Sequence, residues 1–540
     1  TKKYSQVHHL TAIAFILALA LVPSAHPANI WDGSGADGFW NTANNWDNDT
    51  VPAASQNLTF SGNVQTITTN NISAGFSVGT ITFANDSTNA TSGFTLAGLN
   101  IALGADIGTA ASSSIITDTI SSNLQMIGNR GVNTGANHNL IISGVISQSS
   151  GTRSFTKAGT GELTLQNASN TYLGATTINA GTLTVNVAGG IANAGVASAL
   201  GSGTVANSLI RFSGGTLNVT LGAGGTDRQV QIGSTNVANS AGANINNNSV
   251  NGGTPLVFSN TAFNVSAGAT TITANRLLTL GGANTDANAI NGVISDNNTA
   301  GGGTISLTKS GSGRWVLSGV NTYTGATRVS GGTLLVSNGG SIAQSSLTTV
   351  TTGTTLTANG TVGAVAVNTG GTLNGAGTVG TTTVAGTLTP GNSPGVLNVN
   401  GNLTMASGGN MVWELFANTA TQASPAVFDQ VLVSGNLTFD GSNGISLNFG
   451  TTAAGSTVSW SDSFWSSNRS FLIYDVSGST TGFSNLSLLN TSFNDATGAA
   501  LAESQGNFTV SQLGSDVFLN YNAIPEPSTG TLLAFGMGGL

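Results

Sequence analysis

One stretch of this chain occurs twice, and its repetition constrains the fold more than any other feature. Residues 155–185 read FTKAGTGELTLQNASNTYLGATTINAGTLTV, and residues 307–336 read LTKSGSGRWVLSGVNTYTGATRVSGGTLLV. A single insertion near Ser169 separates the two registers. Because so short a unit cannot bury its own apolar face, it needs a neighbouring unit above and below. The repetition therefore predicts a stacked architecture.

Each copy breaks into short alternating runs, which in the first copy are GELTLQ, ATTIN and GTLTV. Alternation points Leu163 and Leu165 to one side and Thr164 to the other, which is the period of a half-buried strand. Glycine and asparagine between the runs suit tight bends because they tolerate a positive φ. We expect the three short strands and three bends of each unit to make one coil of a β-solenoid.

The two copies resemble the autotransporter-associated β-strand repeat, which is found in bacterial surface proteins that fold as right-handed parallel β-helices. Shorter stretches at 213–219, 369–380 and 385–404 extend the resemblance. It implies an all-β chain, a right-handed parallel β-helix (β-solenoid), and a surface location. The positions that carry the repeat signature are Asn170, Thr171, Tyr172, Gly181, Thr182, Leu183, Asn321, Thr322, Tyr323, Gly332, Thr333 and Leu334.

Composition favours an ordered solenoid over a disordered chain. Only 6% of the residues are charged, far below the roughly 25% of soluble domains, but disordered chains lack the alternating Val, Ile, Leu and Thr seen here. The formal net charge of −8 argues against nucleic acid as a partner. The chain has no cysteine. Its stability must therefore come from stacked coils rather than disulfides.

The first 28 residues predict a secretory signal peptide. Lys2 and Lys3 precede an almost wholly apolar run at 10–22, and small residues follow it. That run is shorter than the about 20 residues that a membrane-spanning helix needs. We expect signal peptidase to cleave within 24–28.

The mature chain is expected to divide into four segments. These are a tryptophan-rich N-terminal cap at 29–57, a solenoid at 58–411, a β-rich C-terminal cap at 412–522, and a tail at 523–540. The C-terminal cap is predicted because the strands after 411 become longer and more aromatic. A coil length of roughly 20 to 25 residues predicts about fifteen coils and a rod about 70 Å long.

The N-terminal cap is predicted to hide the open end of the first coil behind Trp31, Trp40 and Trp46, since large rings bury much area. The alternative is that open faces of these rings contact a glycan. Four nearby aspartates offer oxygens to Ca²⁺, but their spacing fits no calcium loop, and solvated turns are the preferred interpretation. These aspartates are Asp32, Asp37, Asp47 and Asp49.

The tail resembles the PEP-CTERM sorting signal, with Pro525, Glu526, Pro527 and Ser528 as its motif. This resemblance implies processing by an exosortase-type membrane protease and transient anchoring of the C-terminus in the membrane. The apolar run at 532–540 is about half a membrane span and no arginine follows it. We therefore expect the tag to be truncated.

The sequence predicts no catalytic, cofactor or metal site. A glycan-cleaving β-helix needs several acids on one face, but the region 140–410 contains four, namely Glu162, Asp227, Asp286 and Asp296. His138 is expected to be a solvated bend residue. Asp227 and Arg228 are expected to form a surface ion pair that contributes little stability.

Two pairs of repeat residues have side chains that could be chemically active. Lys157 and Lys309 are expected to lie along apolar strands with their amines in water. Tyr172 and Tyr323 are expected to pack with a solvated hydroxyl group.

The sequence thus predicts an exported structural or adhesin-like β-solenoid without catalytic activity, at the cell surface or in an extracellular polysaccharide matrix. Binding to polysaccharide or to a neighbouring cell would come from many weak contacts along the rod. Two alternatives stay open: a polysaccharide-active β-helix lyase or hydrolase, and a carbohydrate-binding surface protein that uses the tryptophan segment.

Overall fold

The computed structural model describes residues 29–86, 88, 92–233, 241–260, 262–265, 274–296 and 303–525. The predicted all-β, parallel β-helical architecture is confirmed. Within these ranges the helical elements are short 3-10 turns, and none is long and apolar enough to cross a membrane. The 3-10 turns span Ala43–Asn45, Ser463–Ser466 and Phe483–Asn485. The predicted signal peptide and nearly all of the tail lie outside the described residues.

The strands form because apolar and polar side chains alternate along them. In the strand Glu162–Leu165, both leucines are buried while Glu162 and Thr164 lie on the outer surface. This confirms the inward and outward directions that the alternation predicts. The inward side chains of successive strands make one continuous apolar core along the stack.

The described residues form five sheets, of which sheets A and B come first along the chain. Sheet A consists of Asn29–Trp31, Leu58–Phe60, Ile81–Phe83, Ile107–Thr109, Arg130–Asn133, Phe155–Ala158, Thr176–Ile178, Ile210–Phe212, Val230–Ile232, Ala262–Val265 and Val293–Ser295. Sheet B consists of Ile67–Asn70, Thr95–Gly98, Ile116–Ile120, His138–Ile142, Glu162–Leu165, Thr182–Asn186, Thr216–Leu221, Ala243–Asn247, Arg276–Gly281, Ile305–Lys309, Thr327–Val329, Thr348–Val350, Val365–Val367, Thr382–Val384, Leu403–Met405, Leu437–Phe439 and Thr480–Thr481.

The remaining three sheets form the other faces. Sheet C consists of Phe76–Val78, Ile101–Leu103, Leu124–Met126 and Ile146–Gln148. Sheet D consists of Gly225–Thr226, Val257–Phe258, Asn288–Ile290, Arg314–Leu317, Thr333–Val336, Thr355–Ala358, Thr372–Gly375, Thr387–Pro390, Asn410–Leu415, Asn443–Phe449 and Leu486–Leu488. Sheet E consists of Ser341–Ile342, Thr361–Val362, Thr378–Val379, Val396–Val399, Gln430–Val433, Arg469–Val476, Gly506–Leu513 and Asp516–Ala523.

The chain visits three faces in turn. In the first coils it passes through sheets A, B and C, in the middle coils through sheets A, B and D, and in the last coils through sheets B, D and E. Successive strands of one face pair in parallel, as Thr355, Thr372 and Thr387 do in sheet D. Each coil therefore covers the open edge of the coil before it, and few strand edges are left unpaired.

The repeat unit is arranged differently from the prediction. GELTL and GTLTV do not lie on different faces of one coil, because Glu162–Leu165 pairs in register with Thr182–Asn186 in the next coil. Likewise Phe155–Ala158 pairs with Thr176–Ile178. One copy of the repeat thus spans two successive coils and binds its first half to its second half.

The stack does not end where the C-terminal cap was expected to begin. Strand Asn410–Leu415 pairs in parallel with Asn443–Phe449, which pairs in parallel with Leu486–Leu488. The stack closes further on, at the antiparallel hairpin of Gly506–Leu513 and Asp516–Ala523. That hairpin joins sheet E against Arg469–Val476. The longer strands after residue 411 therefore belong to the same stack, and their aromatic rings pack together, as Trp413 and Phe471 do.

Candidate functional site

Lys157 lies at a corner of the first repeat, where a strand of sheet A ends. It is fully buried, and its Nζ donates hydrogen bonds to the carbonyl oxygens of Ala158 and Gly159, both at 2.8 Å. A third bond, of 3.1 Å, reaches the carbonyl oxygen of Ala180 in the next coil. The three donors of an ammonium group thus meet three acceptors. The expectation of an amine in water is wrong, because the corner closes over the lysine.

Lys309 repeats this arrangement in the second copy, on sheet B. Its Nζ donates to the carbonyl oxygens of Ser310 and Gly311 at 2.6 and 2.9 Å, and to that of Gly331 in the next coil at 2.9 Å. Burial lowers the pKa of Lys309 to about 8. Burial also lowers the pKa of Lys157 to about 8, against the opposing attraction of Glu162. The lysine that recurs in both copies therefore links two successive coils at the corner through its hydrogen bonds. We call this link a lysine tie.

The Asn-Thr-Tyr motif of the first copy is a second tie between coils. Asn170 accepts a hydrogen bond from the backbone N–H of Ile146 at 2.8 Å and donates one to the carbonyl oxygen of Ala199 at 3.1 Å. Tyr172 is fully buried, and its hydroxyl lies 2.7 Å from Oγ1 of Thr176. The expected solvated hydroxyl is wrong here. Burial raises the pKa of Tyr172 to about 12.

The second copy makes the same contacts. Asn321 accepts from the backbone N–H of Ile294 at 2.9 Å and donates to the carbonyl oxygen of Ser341 at 2.9 Å. The Tyr323 hydroxyl lies 2.7 Å from Oγ1 of Thr327 and is also buried. Burial raises the pKa of Tyr323 above its usual range. The middle residues of the motifs, Thr171 and Thr322, are exposed.

The Gly-Thr-Leu motif begins the strand that follows each corner. Gly181 and Gly332 have φ of +61° and +57°, and a Cβ on them would lie 2.3 and 2.2 Å from a carbonyl oxygen of the preceding coil. Only glycine fits such a close approach at positive φ. Leu183 and Leu334 are fully buried, while Thr182 and Thr333 lie on the outer surface. The signature residues therefore hold two coils together.

The three N-terminal tryptophans pack around Phe60. Trp46 meets Trp31 edge to face with ring centroids 5.2 Å apart, and its Nε1 donates to the carbonyl oxygen of Trp40 at 3.0 Å. All three are 0% exposed. Glycan contact through Trp31, Trp40 and Trp46 is therefore not supported, because no ring face is open. Their packing covers the first coil.

The aspartates of this segment serve local turns. Asp37 accepts hydrogen bonds from the Phe39 backbone and the Thr42 hydroxyl, both at 3.0 Å, which lower its pKa. Asp47 accepts from the backbone of Ile30 at 3.1 Å. Across the described ranges no group of three or more His, Asp or Glu side chains is placed to hold a metal ion.

His138 is not a solvated bend residue. It begins a strand of sheet B, is fully buried, and lies with Nδ1 2.8 Å from the carbonyl oxygen of Ala110. Its Nε2 contacts Oδ2 of the buried Asp118, whose Oδ1 accepts from the backbone N–H of Phe94 at 2.7 Å. Because both ring nitrogens are engaged, the imidazole has no free nitrogen to act as a base on a nucleophile.

Arg228 is buried as well, so the expected surface ion pair with Asp227 is wrong. Its guanidinium donates to the carbonyl oxygens of Leu200 and Gly201 at 2.9 and 2.8 Å. Burial lowers the pKa of Arg228. Asp227 instead accepts from the backbone N–H of Ala194 at 2.7 Å. The arginine thereby orders the long corner between sheets B and A.

Asp429 joins three segments near the C-terminal end of the stack. Its carboxylate accepts from the backbone N–H groups of Gly395 at 2.7 Å and Glu414 at 3.1 Å, and its carbonyl oxygen accepts from Nε1 of Trp413 at 2.7 Å. Burial raises the pKa of Asp429 to about 8, and the charge of Glu414 adds to the rise. Sequence reasoning missed this buried carboxyl.

The structure describes only the first residue of the predicted sorting motif. Pro525 is the last described residue, and Glu526, Pro527 and Ser528 lie outside the described residues. Of the other site residues, sequence reasoning found the repeat signature by self-similarity. It missed the role of the buried lysines, although their recurrence at one repeat position was visible.

Comparison with known proteins supports the repeats that the sequence shows. The Passenger-associated-transport-repeat model matches residues 155–185 and 307–336. These two segments are similar to passenger-associated transport repeats. The "Adhesin BmaC autotransporter" of Brucella suis biovar 1 (strain 1330) is 35% identical over 197 residues, which cover 36% of this chain and 4% of that adhesin. The chain therefore matches a small part of that adhesin's length, and the resemblance to autotransporter repeats is confirmed for these two copies.

Proposed function

We propose that this protein is an exported, adhesin-like rod displayed on a bacterial surface, and that it acts without catalysis. The observation that carries the proposal is that the two segments similar to transport repeats lie in one parallel stack of coils within the described residues. A stack of this kind keeps a long surface rigid without disulfides, which suits a chain without cysteine. The similarity to an autotransporter adhesin supports the same role.

Adhesion by this rod would come from many weak contacts. Its outward strand positions are rich in hydroxyl and amide groups at one strand spacing, as in the rank of Thr355, Thr372 and Thr387. Each such contact is weak, but a stiff array adds them because the remaining contacts become intramolecular after the first. Extracellular polysaccharide and the surface of a neighbouring cell are the proposed partners.

Export and sorting complete the proposal. Signal peptidase would remove residues 1–28, and an exosortase-type protease would act at Pro525, Glu526, Pro527 and Ser528 after transient anchoring of the C-terminus. The mature rod would then stay at the outer envelope or enter the extracellular matrix.

Protease shaving of intact cells tests this proposal. Brief proteolysis of living cells is expected to release peptides from the rod while a cytoplasmic marker protein stays intact. Recovery of the chain only from the cytoplasm would contradict surface display. Incubation of the purified protein with neutral and acidic polysaccharides tests the non-catalytic part, since steady release of oligosaccharides would support the enzyme alternative instead.

A further inference from the structure

Two clefts join along one edge of the later coils. The larger, of about 610 Å³, lies over residues 338–341, 359–361 and 376–378, with Val320 at its rim. The smaller, of about 370 Å³, lies over 398–400 and the coils that follow. Asn398 lines both clefts. We name the joined surface over 338–341, 359–361, 376–378 and 398–400 the axial groove, because it crosses successive coils.

Glycines make the floor of the axial groove. Gly340, Gly360 and Gly377 occupy the same corner in three successive coils. A Cβ on Gly360 would lie 2.2 Å from the carbonyl oxygen of Gly340, and one on Gly377 would lie 2.2 Å from that of Gly360. Because a Cβ at either position would clash with the backbone of the preceding coil, these positions stay glycine. The corner therefore carries no side chain at Gly360 and Gly377 that could cover the cleft.

Hydrogen-bonding side chains line one wall in register. Ser341 pairs with Thr361, Thr361 with Thr378, and Thr378 with Asn398. Thr361 is exposed, and the other three are partly exposed. Beyond Asn398 the same rank continues through the apolar Leu432 to Asp475. The four strands of the axial groove, spaced about 4.8 Å apart, give its wall a length of about 14 Å. Along these four strands the wall presents one hydroxyl or amide per coil.

The lack of charged side chains in the four segments of the axial groove limits the classes of ligand that it can bind. The four segments of the axial groove contain no Asp, Glu, Lys or Arg, and Asp475 lies at one end of the smaller cleft. An anionic chain such as nucleic acid would find no cation to pair with. A peptide strand would find little free edge here. The strands after Ser341–Ile342 in this wall are paired on both sides, and Ser341 itself forms a bridge with Val320.

A neutral sugar chain fits these properties. Its hydroxyl groups both donate and accept, so they match a mixed wall of threonine, serine and asparagine. Its C–H faces can rest on apolar groups at the rim, where Val320 is 59% exposed and Ala376 is also exposed. Ordered water can bridge the gaps between a flexible sugar and the wall.

We propose that the axial groove binds a neutral linear glycan, which lies along the rod axis with successive sugar rings over successive coils. This inference rests on the proposed adhesin function and names the ligand class and the surface that would serve it. Each coil contributes a weak contact, and the glycan gains affinity with the number of rings bound.

The test uses two matched tryptophan variants of the whole chain. Thr361→Trp fills the groove, while Thr383→Trp places the same ring on an exposed strand threonine of sheet B, away from the groove. Isothermal titration would measure the binding of cellohexaose, mannohexaose and xylohexaose, with hexagalacturonate as the charged comparison. We expect at least one neutral hexasaccharide to bind. T361W should weaken that binding at least tenfold and T383W less than twofold.

A second groove variant and two control measurements complete the test. Because T361W could disturb its strand, Asn338→Trp on the exposed rim serves as a second block, and circular dichroism compares the fold of each variant. Raising the salt concentration should leave neutral binding unchanged. The proposal is overturned if no neutral hexasaccharide binds, if only hexagalacturonate binds, or if folded T361W and N338W both bind as tightly as the wild type.

Cell-surface shaving separates this inference from the function on which it rests. If the wild-type chain is on the surface but T361W and N338W bind the glycan as tightly as the wild type, the groove assignment fails and surface display stands. If the chain is absent from the surface, the adhesin proposal fails, whatever the groove binds.

Discussion

Lys157 and Lys309 each donate three hydrogen bonds to the carbonyl oxygens of matching corners, although one corner lies between sheets A and B and the other between sheets B and D. The same corner arrangement therefore occurs between different pairs of sheets. In both places the third bond crosses to the next coil. The repeat signature acts as a device for joining coils rather than as a ligand site.

The lysine ties predict a specific loss of stability. Lys309→Met keeps the length and apolar stem of the side chain but leaves three corner carbonyls without their donor. Buried unpaired polar groups cost about 1–3 kcal/mol, and hydrogen exchange should accelerate around Gly311 and Gly331. Arg328→Met, on an exposed residue of the next strand of sheet B, is the control and should change stability by less than about 0.5 kcal/mol. Equal effects of the two variants would argue against the tie.

The raised pKa of Asp429 predicts that the free energy of unfolding decreases as the pH rises. Its pKa of about 8 in the fold is above its unfolded value, so between about pH 4 and 8 the folded state binds more protons than the unfolded state. Stability should therefore decrease across this window, by up to about 3 kcal/mol between pH 5 and 7.5. Urea unfolding of the wild type and of Asp429→Asn measures it. The variant should be less stable at low pH and lack this component of the slope, and an unchanged slope would contradict the assignment.

The glycine corners predict a difference between two alanine variants. Gly332 and Gly353 both have positive φ, but a Cβ on Gly332 would clash with the preceding coil at 2.2 Å whereas one on Gly353 would meet nothing within 4 Å. Both variants bear the strain of a left-handed alanine, roughly 1 kcal/mol. Gly332→Ala adds the steric clash and should lower the melting temperature clearly further. Equal melting temperatures would mean that the coils do not stack so closely.

The tryptophan cap predicts local fraying. Trp46→Ala removes a buried ring that contacts Trp31, Trp40 and Phe60, and such truncations cost about 3–5 kcal/mol. Because neighbouring coils support one another only locally, hydrogen exchange should rise in Asn29–Trp31 and leave sheet E unaffected. Phe39→Ala, at a residue 44% exposed, is the control. An equal rise in hydrogen exchange in the Phe39→Ala variant would contradict the assignment of the three tryptophans as the cap.

Much of the fold follows from local pattern. The alternation of Leu163, Thr164 and Leu165 decides which side of a strand faces the core, and the repetition decides that strands stack. The partner of each polar group does not follow. His138 contacts Ala110 and Asp118, which precede it in the chain, and Lys157 contacts Ala180 in the next coil. Each of these contacts joins residues 20 or more positions apart, which a local pattern does not reveal. The positions of the repeat signature were therefore predictable, while the contacts of its side chains were not.

The stacking itself can be measured with engineered cysteines, since the chain has none of its own. Thr349 and Ala366 are outward-facing partners on adjacent strands of sheet B, and Thr383 is the partner of Ala366 one coil further on. Adjacent strands lie about 4.8 Å apart, within reach of a bimane linker that fluoresces only after it bridges two thiols. Stacked coils should give fluorescence for Thr349→Cys with Ala366→Cys and little for Thr349→Cys with Thr383→Cys. Equal labelling of both pairs, or none of the first, would contradict the stack of coils on which the proposed rod depends.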